Sequence, residues 1–256
     1  LYFWLIIGDT LGFKNSNQSN PMEFSNDILQ QLFAKHPFRK EKIAEIIFGT
    51  NHCAICLTNG NIGVCSTLGI KLVDDVDILA NPDFKRIEHR AVVNAWINAN
   101  ANYTLTPNGN GNIFDAIDFT RYKGIVMIGY FESLANRFKE LGIDITVFDL
   151  DSAQKPVESV DNQSVFLSKA DAVVLTATSI FNKTYNKVLA ESNPNADIFM
   201  LGPSTPLDSL MFSDSRLKLL FGTLFNENDS RILEIIRLGG SAKIFLPLAK
   251  KVYFCK

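Results

Sequence analysis

Five short, almost uninterrupted apolar runs recur in the second half of the chain, at 125–129, 145–150, 172–178, 198–202 and 217–223. A half-buried strand alternates apolar and polar residues, whereas a strand without alternation has both faces buried. Segments of helical patterning lie between these runs. One carries Leu134, Phe138 and Leu141, others cover 161–168 and 181–190, and a short piece covers 208–212. Parallel neighbours need crossovers, and helices usually supply them, so the pattern predicts a mostly parallel sheet wrapped by helices. The expected fold class is α/β. A closing helix is expected over 228–238, ended by Gly239-Gly240, and 252–255 reads as a last edge strand.

The first half has a different rhythm. Ser25 or Asn26 can cap a helix bearing Ile28, Leu29, Leu32 and Phe33, stopped by His36-Pro37. Extended runs follow at 42–48, 53–57 and 62–65, and Asn59-Gly60-Asn61 between the last two is a tight-turn signal. A helix over 87–101 with Val92, Val93, Trp96 and Ile97 on one stripe can cover the resulting meander. This half reads as a smaller α+β domain. Residues 98–112 are dominated by asparagine and glycine, which favour turns over regular elements, and place the boundary there. The expected division is a flexible extension at 1–21, a small domain at 22–112 and a larger, mostly parallel α/β domain at 113–256. The opening Leu1-Tyr2-Phe3-Trp4-Leu5-Ile6-Ile7 is far short of the ~20 residues a membrane-spanning helix needs. The polar stretch after it reads as linker, so the native start is expected at Met22.

Charge narrows the partners. With 25 basic against 27 acidic side chains the formal net charge is -2, which provides no field for phosphate backbones or anionic lipid. No nucleic acid and no membrane are expected. Cys53, Cys56, Cys65 and Cys255 are too few and too uneven for a disulfide-stapled scaffold, which points to a reducing compartment and a cytoplasmic protein.

In an open parallel sheet, ligands bind beyond the carboxyl ends of the strands. The first such end carries Gly129 and Tyr130 but lacks G-x-G-x-x-G, so no dinucleotide is expected. The second ends at Asp149, suited to a polyol or to plain solvation. After the third, Thr176, Thr178, Asn182 and Thr184 surround a helix entry, where free amides favour an anion and where the same hydroxyls also act as simple caps. The fourth ends in Gly202-Pro203-Ser204-Thr205-Pro206, a stiff turn that offers Gly202, Ser204 and Thr205 to a pocket wall or serves only as a connection.

The run Asp171-Ala172-Val173-Val174-Leu175-Thr176-Ala177-Thr178, then Asn182-Lys183-Thr184, then Leu201-Gly202-Pro203-Ser204-Thr205-Pro206 resembles the Rossmann-like heavy-metal chelation family. Val126-Met127-Ile128-Gly129-Tyr130-Phe131, Leu220-Phe221-Gly222-Thr223 and Gly239-Gly240 follow its order. The preceding half, with Gly49, Ala54 and Asn94-Ala95, resembles that family's usual partner, a domain with the fold of the enolase amino-terminal domain. The resemblance implies two domains, a site in the cleft between them, and a metal or metal-related ligand. Two departures stand out: Lys183 occupies a family glycine, and Asn51-His52-Cys53 replaces an aromatic-containing stretch.

Soft metals prefer thiolate and imidazole, and Cys53-Ala54-Ile55-Cys56 with His52 and Cys65 nearby suggests such a cluster. On a strand, however, Cys53 and Cys56 point to opposite faces. The ligand expected is therefore an anionic or metal-related small molecule, such as a metal oxyanion or a chelated metal ion, held by hydroxyls and backbone donors. Two other classes stay open. One is an enzyme acting on a small metabolite, with His52, His89 or Glu132 as base; the other is a delivery partner for a metalloenzyme. A homo-oligomer is compatible with either. Trp4 and Trp96 read as packing groups.

Overall fold

Asp27 opens the first helix, α1 (Ile28–Lys35): its Oδ1 accepts the Leu29 amide at 3.0 Å, and His36 closes the helix ahead of Pro37. The cap lies just after the Ser25 or Asn26 expected from sequence. The computed structural model describes residues 26–73, 75–151 and 157–256. The expected extension, the Met22 start and Trp4 lie outside the described residues.

The meander forms as β1 (Ile43–Phe48), β2 (His52–Leu57) and β3 (Ile62–Ser66), antiparallel in that order. Gly60 takes φ +90° in the β2–β3 turn, which sets Cys53 opposite Cys65 and Ile55 opposite Gly63. Helix α2 (Ile87–Ala101) lies against this sheet. A Cβ on Gly63 would sit 2.1 Å from the Ala95 carbonyl oxygen, so the close helix–strand approach requires glycine. The single apolar stripe expected on α2 is only part of its buried surface. Every side chain from Arg90 to Ala99 is buried, because the helix is covered by the small sheet and also by α1 and the larger body. Two buried amide groups bond outward from the helix: Asn98 Nδ2 donates to Val64 O at 2.9 Å, and Nδ2 of the C-cap residue Asn102 to Thr205 O at 3.1 Å. Trp96 is a packing group as expected, fully buried, with Nε1 donating to His36 O at 2.8 Å.

The larger sheet has seven strands: β4 (Gly109–Asn110), β5 (Ile125–Ile128), β6 (Ile145–Phe148), β7 (Ala172–Thr176), β8 (Asp197–Leu201), β9 (Leu217–Leu224) and β10 (Lys250–Cys255). Their order is β4-β10-β9-β8-β7-β5-β6, parallel from β9 to β6 and antiparallel at β10 and β4. The fold is α/β, as the unbroken apolar runs require. Alternate residues of each central strand enter two cores: Met127 and Val174 pack with Phe138 on one face, and Val126 and Val173 join the core shared with α2 on the other. Two sequence expectations shift here. The asparagine-rich stretch contributes the two-residue β4, and β4 rather than β10 forms the sheet edge.

The connecting helices are α3 (Ile113–Ala116), α4 (Glu132–Glu140), α5 (Gln163–Leu167), α6 (Thr178–Phe181), α7 (Tyr185–Glu191), α8 (Ser230–Arg237) and α9 (Ala242–Phe245). The helix expected over 181–190 is two helices, because Lys183 adopts φ +69° and breaks the ladder. Helix α8 is the closing helix expected over 228–238. With Phe245 of α9 it covers the far face of the small sheet, where Ile232 and Ile236 pack on Ala54, Cys56 and Val64. Among the described residues no helix is long and apolar enough to cross a membrane.

Candidate functional site

From β5 the chain moves to β6 on one side of the sheet and then to β7 on the other, so the strand order reverses between β5 and β7. Connections diverge at such a point and leave a crevice beyond the carboxyl ends of the strands. A recess of about 590 Å³ lies there. Its size is that of a small-molecule site.

Gly129 follows β5 with φ +89°, and Thr176 ends the neighbouring β7 against it. Asp149 follows β6 directly and ties the two loops beside it: Oδ2 accepts the Tyr130 amide at 2.6 Å, and Oδ1 the Asp151 amide at 2.7 Å. Thr176 and Thr178 share a hydroxyl–hydroxyl hydrogen bond of 3.0 Å. Asn182 Oδ1 accepts from the Thr184 amide at 3.0 Å and from the Thr184 hydroxyl at 2.7 Å. Seven residues expected from sequence, Gly129, Tyr130, Asp149, Thr176, Thr178, Asn182 and Thr184, thus line one recess.

The break between α6 and α7 falls at Lys183, where the family resemblance implies a glycine. Lys183 holds a left-handed conformation that glycine adopts without strain, and its Nζ reaches across to Lys85 O at 2.7 Å. The segment carrying Asn182 and Thr184 is thereby tethered to the loop before α2.

Gly202, Ser204 and Thr205 do not line the recess. Ser204 and Thr205 are buried connectors: Ser204 Oγ accepts the Ser66 amide at 2.9 Å, Ser204 O accepts Asn94 Nδ2 at 2.8 Å, and Thr205 Oγ1 donates back to Gly202 O at 2.8 Å. The Ser204 hydroxyl satisfies the junction between the small sheet and the body, and the Thr205 hydroxyl closes its own turn. The three candidate bases also lie elsewhere. His52 is buried edge-on to Phe245 at 4.9 Å, His89 Nδ1 accepts the Asp83 amide at 3.0 Å, and Glu132 pairs with Lys243 at 2.8 Å. Burial drives the His52 pKa down to about 4, with a hydrogen bond to the Gly240 backbone partly opposing it.

Sequence reading missed the opposite wall. Leu68 and Ile70, just after β3, and Ile87 at the start of α2 face the polar strand ends, and Asp151 and Gln163 add polar groups. Nothing local marks these residues, since only the tertiary fold brings 68–70 to the end of β7. Leu68 does take φ +51°, a strained value for a branched side chain.

The recess donors are oxygens and amides: two carboxylates, the threonine and tyrosine hydroxyls, Asn182 and Gln163, with no lysine or arginine among the described lining residues. Among the described residues no group of three or more His, Cys, Asp or Glu is placed to hold a metal ion. A bare thiophilic cation therefore does not fit this recess.

A profile of the DUF364 family, described as "Putative heavy-metal chelation", matches residues 112–255. No curated protein matches the chain significantly. The chain is similar to the crystal structure of a DUF364 protein from Pyrococcus horikoshii, with 19% identity and a TM-score of 0.76 over 90% of this chain and 98% of that one. It is also similar to a DUF364 protein from Desulfitobacterium hafniense, with 21% identity and a TM-score of 0.71 over 91% of this chain and 100% of that one. Both are titled as having unknown function, and at these identities the likeness concerns the fold.

Proposed function

The chain belongs to the DUF364 family, whose profile spans more than half of it, and from that premise we propose that it is a ligand-binding protein whose recess takes a small polar molecule, or a metal ion carried by one. The observation that carries this reading is the composition of the walls. Hydroxyls, amides and two carboxylates from three strand ends face an apolar wall supplied by Leu68, Ile70 and Ile87.

Charge selects among the ligands expected from sequence. A free phosphate or oxyanion would approach the Asp149 carboxylate, with no lysine or arginine among the described lining residues. Two like charges about 4 Å apart repel by about 4 kcal/mol at an effective dielectric of about 20. The buried end of the ligand is therefore neutral or cationic. A soft metal enters only with its own organic donors, because the described lining residues offer it neither sulfur nor imidazole. Hydroxyl groups and Asn182 supply orientation, and the apolar wall supplies contact area. The same proposal places the protein in the cytoplasm, where Cys53, Cys56 and Cys65 stay free.

Thermal unfolding with three probes tests this: the neutral chelate zinc bis-glycinate, zinc chloride, and sodium phosphate. Binding to the native state raises Tm by mass action. The chelate is expected to raise Tm in the wild type and to lose that effect in Thr178→Trp, which fills the recess. Stabilisation by phosphate alone, or by zinc chloride as well as by the chelate, would contradict the reading.

A further inference from the structure

Cys53 and Cys65 stand directly opposite each other on β2 and β3, and both are fully buried. Ladder hydrogen bonds alternate along this pair: the Leu57 amide donates to Asn61 O at 2.9 Å and the Thr67 amide to Asn51 O at 3.0 Å. By that alternation Cys53 and Cys65 occupy a mutually bonded position, where opposed Cα atoms lie about 5.5 Å apart. Both side chains leave the sheet on the α2 side, into the same core. Cys53 Sγ donates to Ala91 O at 3.5 Å, and Cys65 Sγ to Ser66 O at 3.3 Å. The Asn94 and Ser204 side chains lie beside Cys65. Asn94 is fully buried, its Nδ2 is engaged with Ser204 O at 2.8 Å, and its Oδ1 has no hydrogen-bond partner. None of these residues lines the recess, and Cys56 faces the opposite core with Ile62 and Val64.

We propose that Cys53 and Cys65 form a second site, a two-coordinate dithiolate for a soft divalent d10 cation, with the Asn94 side chain beside it. Thiolates select soft metals. Two metal–sulfur bonds of about 2.3 Å laid end to end span about 4.6 Å, matching the separation of about 4.5–5.5 Å between opposed Cβ atoms. A divalent ion and two thiolates sum to zero charge, which a dry interior accepts far more readily than a net ion. Tetrahedral zinc is not served, since no third His, Cys, Asp or Glu joins the pair among the described residues. On binding, two S–H bonds break, two S–metal bonds form and both protons pass to solvent, with no change of oxidation state. Entry requires local opening of the β2–β3 hairpin.

The test uses the full chain carrying Cys56→Ser and Cys255→Ser, kept reduced, equilibrated with Hg(II) in an excess of a monothiol competitor and read by native mass spectrometry. One mercury per chain is expected, lost when either Cys53→Ser or Cys65→Ser is added. No retained mercury, or mercury retained without either thiol, overturns the proposal. Because serine in this interior can unfold the hairpin, alkylation mapping of the same double variant in moderate urea gives an independent readout. Hg(II) is expected to protect Cys53 and Cys65 together, and equal labelling with and without it overturns the proposal.

Discussion

Gly129 and Thr176 meet across the gap between β5 and β7 so closely that a Cβ on Gly129 would lie 2.7 Å from the Thr176 Cβ. Bare backbone at φ +89° therefore forms the floor of the recess. Gly129→Ala is expected to destabilise the protein by roughly 1–3 kcal/mol, from the strained backbone conformation alone, and to push Thr176 into the recess. Urea unfolding checks the first effect, and loss of the Tm rise with zinc bis-glycinate checks the second. An unchanged urea midpoint would contradict this account of the floor.

Arg90 is 1% exposed and joins three elements. It pairs with Asp27 at the cap of α1, and its Nε and Nη2 donate to Phe181 O at 2.7 Å and Ile180 O at 2.6 Å at the end of α6. Arg90→Met leaves those carbonyls and the Asp27 carboxylate without this donor, with an expected loss of about 3–5 kcal/mol. Chemical denaturation measures it. A loss below 1 kcal/mol would mean that the junction between α1, α2 and α6 does not depend on the guanidinium.

Much of this architecture is legible in the chain because burial on both faces of central strands such as β5 and β7 leaves runs such as Ala172-Val173-Val174-Leu175 with no polar residue to break them. The strand ends were legible for the same reason, since the first polar residues after each run mark where the sheet stops. Ser204 and Thr205 misled because a hydroxyl that satisfies a buried junction and one that faces a ligand look alike in sequence. The apolar wall was hidden for a different reason: Leu68 and Ile70 reach the end of β7 only through packing of the small sheet. The Cys53–Cys65 pair was recoverable in principle, since a hairpin turning at Asn59-Gly60 places residues six before and six after position 59 opposite each other.

Lys183→Gly relieves a left-handed backbone that costs a side-chain-bearing residue about 1 kcal/mol, and removes an exposed hydrogen bond to Lys85 O that contributes less. A net gain of up to about 1 kcal/mol in equilibrium stability is expected. A loss would show that the tether to the loop before α2 outweighs the strain.

Acid titration carries two separable signatures. Burial holds the His52 pKa at about 4 against an ordinary 6.5, so the native state keeps the ring neutral while the unfolded chain takes up a proton. Its share of stability is full above pH 6.5 and declines as pH falls toward 4, by up to about 3 kcal/mol. Asp208 acts lower. Burial alone would raise its carboxyl, but hydrogen bonds from His36, Lys35 and the Leu210 amide overcome this and hold it at about 2, so its contribution is lost from about pH 4 downward. His52→Leu is expected to flatten the stability profile between pH 6.5 and 4 while leaving the lower limb. An unaltered slope in that window would contradict burial of a neutral imidazole.

The central claim is that the recess at the β5/β7 reversal holds a ligand. Native mass spectrometry of gently purified wild-type protein, side by side with Thr178→Trp, tests it most directly. A discrete adduct of small-molecule mass on the wild type, absent from the filled variant, is the predicted result. An adduct of equal occupancy on both proteins, or none on either, would contradict it.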